Sequence, residues 1–421
     1  MKKFVFVILV AFSSLHSQML FASGGSLYSR FGLGDIQYAS SALAAGMGGA
    51  GLALADSRYI NRVNPALLSV LKETRLSGDF YYAKFLGETD FASASQASGG
   101  FYGTGIAFPV SGFVFSAGLY PYSLCNYQQV ESGTISTVEG TTSEYEFTYE
   151  GSGGLSYVPL SIGLMPLSSE RFGNIRLGFS LNFMFGTFEK MAKSRYDDYS
   201  FEDSDFEAND HLTGQTFTAG FVYESKVGLF SESDQLSVGF VFNSSDKLSA
   251  DRETIISASA GTDTISTSNS VVKLPESYAL GFGYVVNPQL RFALDASFQK
   301  WGDFTYFNED VSYAKDAKRI SFGSEWTPSQ NKRASWFKRQ TYRAGFYVNQ
   351  SYLTVADEDI NEIGLTLGMG FPISDVSSVV DINMEYAMRG TTANGLIDER
   401  IFKIKISLNA GEKWFLQPII E

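Results

Sequence analysis

Apolar and polar residues alternate at a period of two along much of this chain. In LRFALDASFQ (Leu290–Gln299), Leu290, Phe292, Leu294, Ala296 and Phe298 stand between Arg291, Asp295 and Gln299. In VVDINMEYAM (Val379–Met388), Val380, Ile382, Met384, Tyr386 and Met388 form one face, with Asp381, Asn383 and Glu385 on the other. FKIKISL (Phe402–Leu408) opposes Phe402, Ile404, Ile406 and Leu408 to Lys403, Lys405 and Ser407, and IRLGFSLNF (Ile175–Phe183) sets Arg176, Ser180 and Asn182 on its polar side. Successive strand residues point to opposite faces, so these segments meet an apolar medium on one side and a polar one on the other.

A soluble antiparallel sandwich also alternates. Two features favour a membrane barrel. The segments approach the roughly 10 residues a tilted strand needs to cross a bilayer. Their polar face carries charge while aromatics gather toward segment ends, as a polar lumen and aromatic girdles require. Strand-like segments lie near 73–84, 99–109, 111–122, 146–166, 174–187, 215–226, 235–243, 274–286, 289–300, 318–327, 340–350, 361–373, 378–389 and 400–409. The expected fold is all-β: an antiparallel transmembrane β-barrel of about 14 strands, an even number as in bacterial single-chain barrels. Short connections such as Pro109–Gly112, Asn287–Gln289 and Ser374–Ser377 alternate with long ones near 85–98, 123–145, 188–214, 244–273, 301–317, 351–360 and 390–399. Short turns on the periplasmic side and long loops outside follow the outer-membrane rule, with both chain ends periplasmic.

Composition agrees. The chain has 36 Phe and 23 Tyr in 421 residues but only 18% charged residues, so its outer surface need not be charged. A net charge of -13 opposes nucleic-acid partners. Lys2 and Lys3, the apolar run FVFVILVAF and small residues up to Ala22 form a secretory signal peptide over 1–22, too short to serve as a membrane anchor. Cys125 is the only cysteine, which excludes an intrachain disulfide. Of the two histidines, His16 lies in the signal, and His211 alone cannot build a multi-histidine metal site. No cofactor, metal or catalytic residue is expected, and the chain is read as a non-enzyme. YDDYSFEDSDFEAND (Tyr196–Asp210) reads as a solvated loop; binding of divalent cations is its alternative, without the spacing of a calcium loop.

Residues 23–72 precede the first strand, and 73–421 form the barrel domain. GMGGAG (Gly46–Gly51) spells a dinucleotide-binding fingerprint, but no apolar strand precedes it and Pro65 breaks the stretch after it. The longer run GMGGAGLALADSRYINRVNPALL resembles the N-terminal signature of the FadL/TodX family, outer-membrane transporters of long-chain fatty acids and aromatic hydrocarbons. LPESYALGFGYVVNPQLRFALDASFQKW and YRAGF (Tyr342–Phe346) resemble later parts of that family. The end departs from it, running past Trp414-Phe415 to LQPIIE.

The resemblance implies that 23–72 is a hatch, or plug, folded in the lumen. Its residues are Gly46, Gly48, Gly49, Gly51, Asp56, Arg58, Asn64, Pro65 and Ala66. Asp56 and Arg58 either pair with lumen charges such as Arg176, Lys403, Asp381 or Glu385, or only solvate the plug. Arg176, Arg291, Asp295, Asp381, Glu385, Lys403 and Lys405 are the expected polar lumen. The implied function is passive uptake of a hydrophobic small molecule across the outer membrane. Capture falls to aromatic loop residues Phe85, Phe91, Trp301, Phe304 and Phe307, which anchor the barrel at the interface in the alternative reading. Release goes past the hatch and sideways into the bilayer. Expected partners are the ligand, membrane lipid and lipopolysaccharide, and the barrel-assembly machinery, with the chain a monomer. The alternative function is that of a plugged barrel acting in protein secretion or surface attachment.

Overall fold

Backbone groups in a lipid bilayer have no water to bond with, so a sheet survives there only when closed on itself. The computed structural model, which describes Gly25 to Glu412 apart from 39–40, 137–141, 199–200, 227, 229, 232–233, 260, 332 and 374–377, is such a closure. Fourteen antiparallel strands form its wall among the described residues. They are β1 (Thr74–Glu88), β2 (Ser93–Val110), β3 (Phe113–Pro121, resuming as Tyr127–Ser136), β4 (Thr142–Ser169), β5 (Gly173–Tyr196) and β6 (Ser204–Glu224). Then come β7 (Gln235–Asn243, resuming as Asp246–Ala258), β8 (Gly261–Leu274, resuming as Ser277–Asn287), β9 (Leu290–Gln299) and β10 (Ala317–Trp326). The last are β11 (Thr341–Val355), β12 (Glu358–Ile373), β13 (Ser378–Gly390) and β14 (Asp398–Glu412). Each pairs with its neighbours in sequence, and β14 closes on β1 in unbroken register from Thr74 opposite Glu412 to Glu88 opposite Asp398.

The alternating faces resolve as the sequence pattern requires. Phe80, Phe179, Phe240, Leu294, Ile320 and Leu365 point outward and stand exposed, and every wall strand contributes at least one such large apolar side chain. A continuous apolar belt of this extent is stable against lipid and not against water. The opposite parity points inward, where Arg176, Asp381, Asn383, Lys405 and Ser407 are buried. No described helix is long and apolar enough to cross a membrane.

The long loops are the main correction. Much of 123–145, 188–214 and 244–273 is strand, not loop. β4 runs for 28 residues, β5 for 24 and β6 for 21, well beyond the ~10 residues a bilayer demands. Tyr127–Ser136 pairs with β4, and Asp246–Ala258 is flanked by β6 and by Gly261–Leu274. The sheet therefore projects past the belt at the end bearing the long connections, the loop end; the opposite rim is the turn end. Polar residues occupy both faces of these projections, which is why a two-sided periodicity test reads them as loop.

Leu365 is 62% exposed in mid-strand. Leu365→Arg should lower unfolding stability in phospholipid vesicles by about 2–4 kcal/mol, the cost of a cation near the bilayer midplane. Glu144→Arg, on the exposed projection, should change it little. Equal urea-midpoint shifts for the two would overturn the lipid-facing assignment.

Candidate functional site

The inner wall encloses the described part of the N-terminal segment and holds it at several depths. Near the loop end, Glu399 accepts hydrogen bonds from Ser26 Oγ (2.8 Å) and the Leu27 amide (2.9 Å), and Arg389 joins Glu399 (3.0 Å) to Asp35 (2.7 Å). Halfway down, the Gly48 amide donates to Thr366 Oγ1 (2.7 Å), and the Gly51 and Leu52 amides donate to Asp295 (2.7 and 2.9 Å). Near the turn end, Arg176 donates to Ser69 Oγ (3.1 Å) and Asn64 Nδ2 to the Phe221 carbonyl (3.2 Å). The chain thus runs the length of the lumen before β1 begins.

The electrostatic centre is a chain of buried ion pairs shared between segment and wall. Asp56 pairs with Arg58 (2.7 Å) and with Arg291. Arg291 reaches Glu325 (2.6 Å), Glu325 reaches Arg343 (2.7 Å), and Arg343 reaches Asp381 (2.6 Å). Tyr59 bridges the last pair, accepting from Arg343 (2.8 Å) and donating to Asp381 (3.0 Å). Arg62 pairs with Asp79 under the Tyr120 ring. Such pairs need near-complete hydrogen bonding to offset desolvation; segment and wall supply it to each other along the chain from Asp56 to Asp381, while Arg62 Nε and Asp79 Oδ1 find no partner among the described residues. Asp56 and Arg58 do meet lumen charges, but Arg291 and Glu325 rather than Arg176, Lys403, Asp381 or Glu385. Arg176 pairs with Glu224 (3.2 Å), Glu385 lies 3.6 Å from Lys403, and Lys405 faces the Tyr102 ring.

Glycines of the wall make room for the segment. A Cβ on Gly178 would lie 2.1 Å from the Pro65 carbonyl carbon, and one on Gly220 would lie 2.2 Å from Asn64 Oδ1. Gly323 and Gly345 admit Met47 in the same way. On the segment, Gly48 has φ +69 and rests on the backbone of Phe346, so it needs both a positive φ and the missing side chain. Gly46, at a short helix end, packs on Asn383 and Gly368; Gly49 faces Arg319, and Gly51 faces Leu43 and Ala44. Asn64 caps the 3-10 turn Pro65–Val70 by accepting from the Ala66 amide (3.1 Å). The wall glycines had a signal in the sequence: LGF, AGF, VGF and LGFG place glycine at lumen parity between two outward apolar residues.

Three of the five loop aromatics, Trp301, Phe304 and Phe307, share one core, and the other two stand apart. Trp301 and Phe304 are buried in an apolar core at the loop end with Tyr28, Leu33, Phe188, Leu248 and Tyr352, and Trp301 stacks on Tyr352 at 4.1 Å. Phe85 is buried in a smaller cluster with Tyr347, Phe307 packs under Arg252, and Phe91 is 97% exposed at a hairpin tip. Residues 301–316 therefore cover the loop end of the lumen. Tyr306 fastens this cover by donating to Asp210 (2.6 Å); burial and that carboxylate hold its proton well above the usual phenol range. Asp210 also binds Arg252 (2.8 Å). No group of His, Cys, Asp or Glu among the described residues could hold a metal ion, and His211 meets Thr187.

Two chambers stand out among the described residues. One of about 110 Å³ sets Tyr81, Tyr102, Ile360 and Ile401 beside Glu362, Glu385, Arg389, Lys403 and Lys405. The other, of about 240 Å³, mixes Tyr120, Tyr157 and Phe298 with Asn182, Asn243 and Gln299. Tyr38 and Arg319 line both, with the Arg319 guanidinium between the Tyr38 and Tyr347 rings. Beside them the wall is split. β2 pairs with β3 only from Thr104 to Val110, and no described ladder joins Ser93–Gly103 to Tyr127–Ser136. From inside, Asp35–Ile36 pairs with Ser123–Leu124 and covers this seam.

Gly178→Val should expel the Pro65 turn and expose Arg58 and Arg62 to trypsin in an otherwise folded, heat-modifiable barrel. Gly78→Val, whose new Cβ meets nothing within 4 Å, should leave both sites protected. Identical protection in the two variants would mean that the wall glycines do not set the fit. Arg343→Met leaves Asp381 without its cation and Glu325 with Arg291 alone at close range, and should cost roughly 3–5 kcal/mol in urea unfolding, as loss of one member of a buried pair does; a loss under about 1 kcal/mol, the scale of a surface pair, would show the chain of pairs to be solvated.

The fold is shared with known proteins. The fold is similar to that of the CymD monoaromatic hydrocarbon channel, at 15% identity and a TM-score of 0.56, covering 91% of this chain and 99% of that one. It is similar to a Pseudomonas aeruginosa FadL homologue (13%, TM-score 0.57, 90% and 99%) and to the Pseudomonas putida toluene transporter TodX (14%, 0.56, 91% and 100%). At these identities the likeness is one of fold. No curated protein matches the chain. The family model described as BamG matches residues 1–421, the whole sequence, and the chain belongs to the BamG family.

Proposed function

We propose that this chain is a plugged barrel of the outer membrane that serves the assembly of other outer-membrane proteins as a partner of the barrel-assembly machinery. Residues 1–22 act as its export signal, 23–72 as its plug and 73–421 as its barrel. The observation that carries the reading is closure of the lumen. The buried pairs Asp56–Arg291 and Arg62–Asp79 tie the N-terminal segment to the wall near the turn end, and the Trp301–Phe304 core covers the loop end. The chambers left inside, of about 110 and 240 Å³, set many polar and charged groups among their aromatic and aliphatic ones. An uptake route for an apolar molecule calls for a largely apolar pocket with few polar groups. The BamG match, whose name points to barrel assembly, supports the same reading.

Passive uptake of a long-chain fatty acid or aromatic hydrocarbon is the second reading. It is favoured by the seam between β2 and β3, where a ligand could leave sideways; Tyr102 on its β2 side lines the smaller chamber and Tyr120 on its β3 side the larger. In this reading the 23–72 plug is a movable hatch.

One depletion experiment separates the two. Loss of the chain should lower the folded, heat-modifiable fraction of other outer-membrane barrels while leaving uptake of radiolabelled long-chain fatty acid unchanged. Slower fatty-acid uptake with normal levels of folded barrels would overturn the assembly reading in favour of transport.

A further inference from the structure

The connection between β10 and β11, residues 327–340, is long for the turn end. Its sequence, TPSQNKRASWFKRQ, has four basic residues and no acidic one. It folds outward. Trp336, on the short helix Trp336–Arg339, packs on Phe371 at 5.9 Å, and Phe371 lies on the outward parity of β12 with Leu365 and Leu367. Tyr342 and Trp326, outward at the adjoining ends of β11 and β10, meet at 5.9 Å, and the Tyr342 hydroxyl donates to the Phe337 carbonyl at 2.8 Å. Trp336 is 50% exposed and Phe337 is 70% exposed. An aromatic cluster thus continues the lipid-facing belt to its turn-end rim.

Arg333 and Lys338 stand exposed on the same turn. The Arg339 Nε is shielded from water yet donates to no acceptor among the described residues. A shielded guanidinium donor without an acceptor leaves a strong hydrogen bond unmade. No carboxylate of the turn offers one, whereas a phosphate matches arginine geometry. Aromatic side chains at this depth hold the acyl-glycerol region, and the cations above them meet headgroups.

We infer that this turn binds an anionic glycerophospholipid of the adjoining leaflet, with its phosphate among Arg333, Lys338 and Arg339 and its glycerol and upper acyl carbons against Trp336 and Phe371. The inference rests on the membrane-spanning reading and is independent of whether the barrel serves assembly or uptake.

The test is native mass spectrometry of the full chain released from nanodiscs of phosphatidylcholine containing a minor fraction of phosphatidylglycerol. Wild type should retain one phosphatidylglycerol about tenfold more often than its abundance predicts, which is a preference of roughly 1.4 kcal/mol. R333Q/K338Q/R339Q should bring retention to the statistical level; W336A should reduce it; R171Q/K226Q, at two other turn-end cations, should leave it unchanged. Added inorganic phosphate should not displace the lipid, because the aromatic contacts need the acyl-glycerol body. Equal retention by wild type and the triple variant, or equal retention of the two lipids, overturns the inference. So does a triple variant that keeps its lipid but loses an acidic protein partner from native membranes. Should the triple variant fail to fold, K338Q and R333Q singly give the same comparison. Failure of the wild type to enter nanodiscs refutes the membrane-spanning reading itself, an outcome distinct from entry without lipid preference.

Discussion

Charges inside a closed barrel must be answered from within, and in this chain the answer comes from its own first residues. The wall brings Arg291, Glu325, Arg343 and Asp381 together on one inner surface. Desolvating ions on that scale is tolerable only when nearly every donor and acceptor finds a partner. Asp56, Arg58 and Tyr59 complete the set from the segment side. The glycines of β4, β5, β6, β10 and β11 answer the same constraint, because charges can meet at about 2.7 Å only if the backbones approach closely.

This constraint bears on what the segment can do. A gate must have two states of comparable free energy, and a segment bonded from Ser26 to Ser69 would leave several buried ions unpaired on moving as a whole. Movement of a short part costs far less. The stretch around Asp35–Ile36, where a two-residue ladder backs the seam, is the part that could shift at the cost of the Asp35–Arg389 pair while the ion chain below stays intact. The assembly and uptake readings therefore differ in where motion occurs. The first uses the barrel as a fixed body; the second needs only the upper segment and the seam.

Much of the fold was legible in the sequence, and the reason is local. Strand positions, the even count and the outward set of Phe292, Ile382 and Ile406 come from a period of two, which reports the medium each face meets. The inward placing of Arg291, Asp295, Asp381 and Lys405 comes from the same rule. Residues 46–66 were recognisable from their small residues and Asn64-Pro65-Ala66, but not their contacts. Asp56 is 235 residues from Arg291, and strand pattern cannot rank one lumen cation above another at that separation.

What the sequence determined by itself was thus the wall: how many strands, which way each face points, and that the chain closes where lipid is on one side and polar groups on the other. Tertiary structure alone decided the interior. It turned Trp301 and Phe304 from exposed loop aromatics into a buried cover, made strands of stretches that read as loops, and chose Arg291 and Glu325 as partners of the segment. The physical reason is range. A residue's preference for lipid or lumen is set by its neighbours along the strand, whereas ion pairing, glycine clearance and burial of a folded-back loop are set by which strands the barrel's register brings to the same depth.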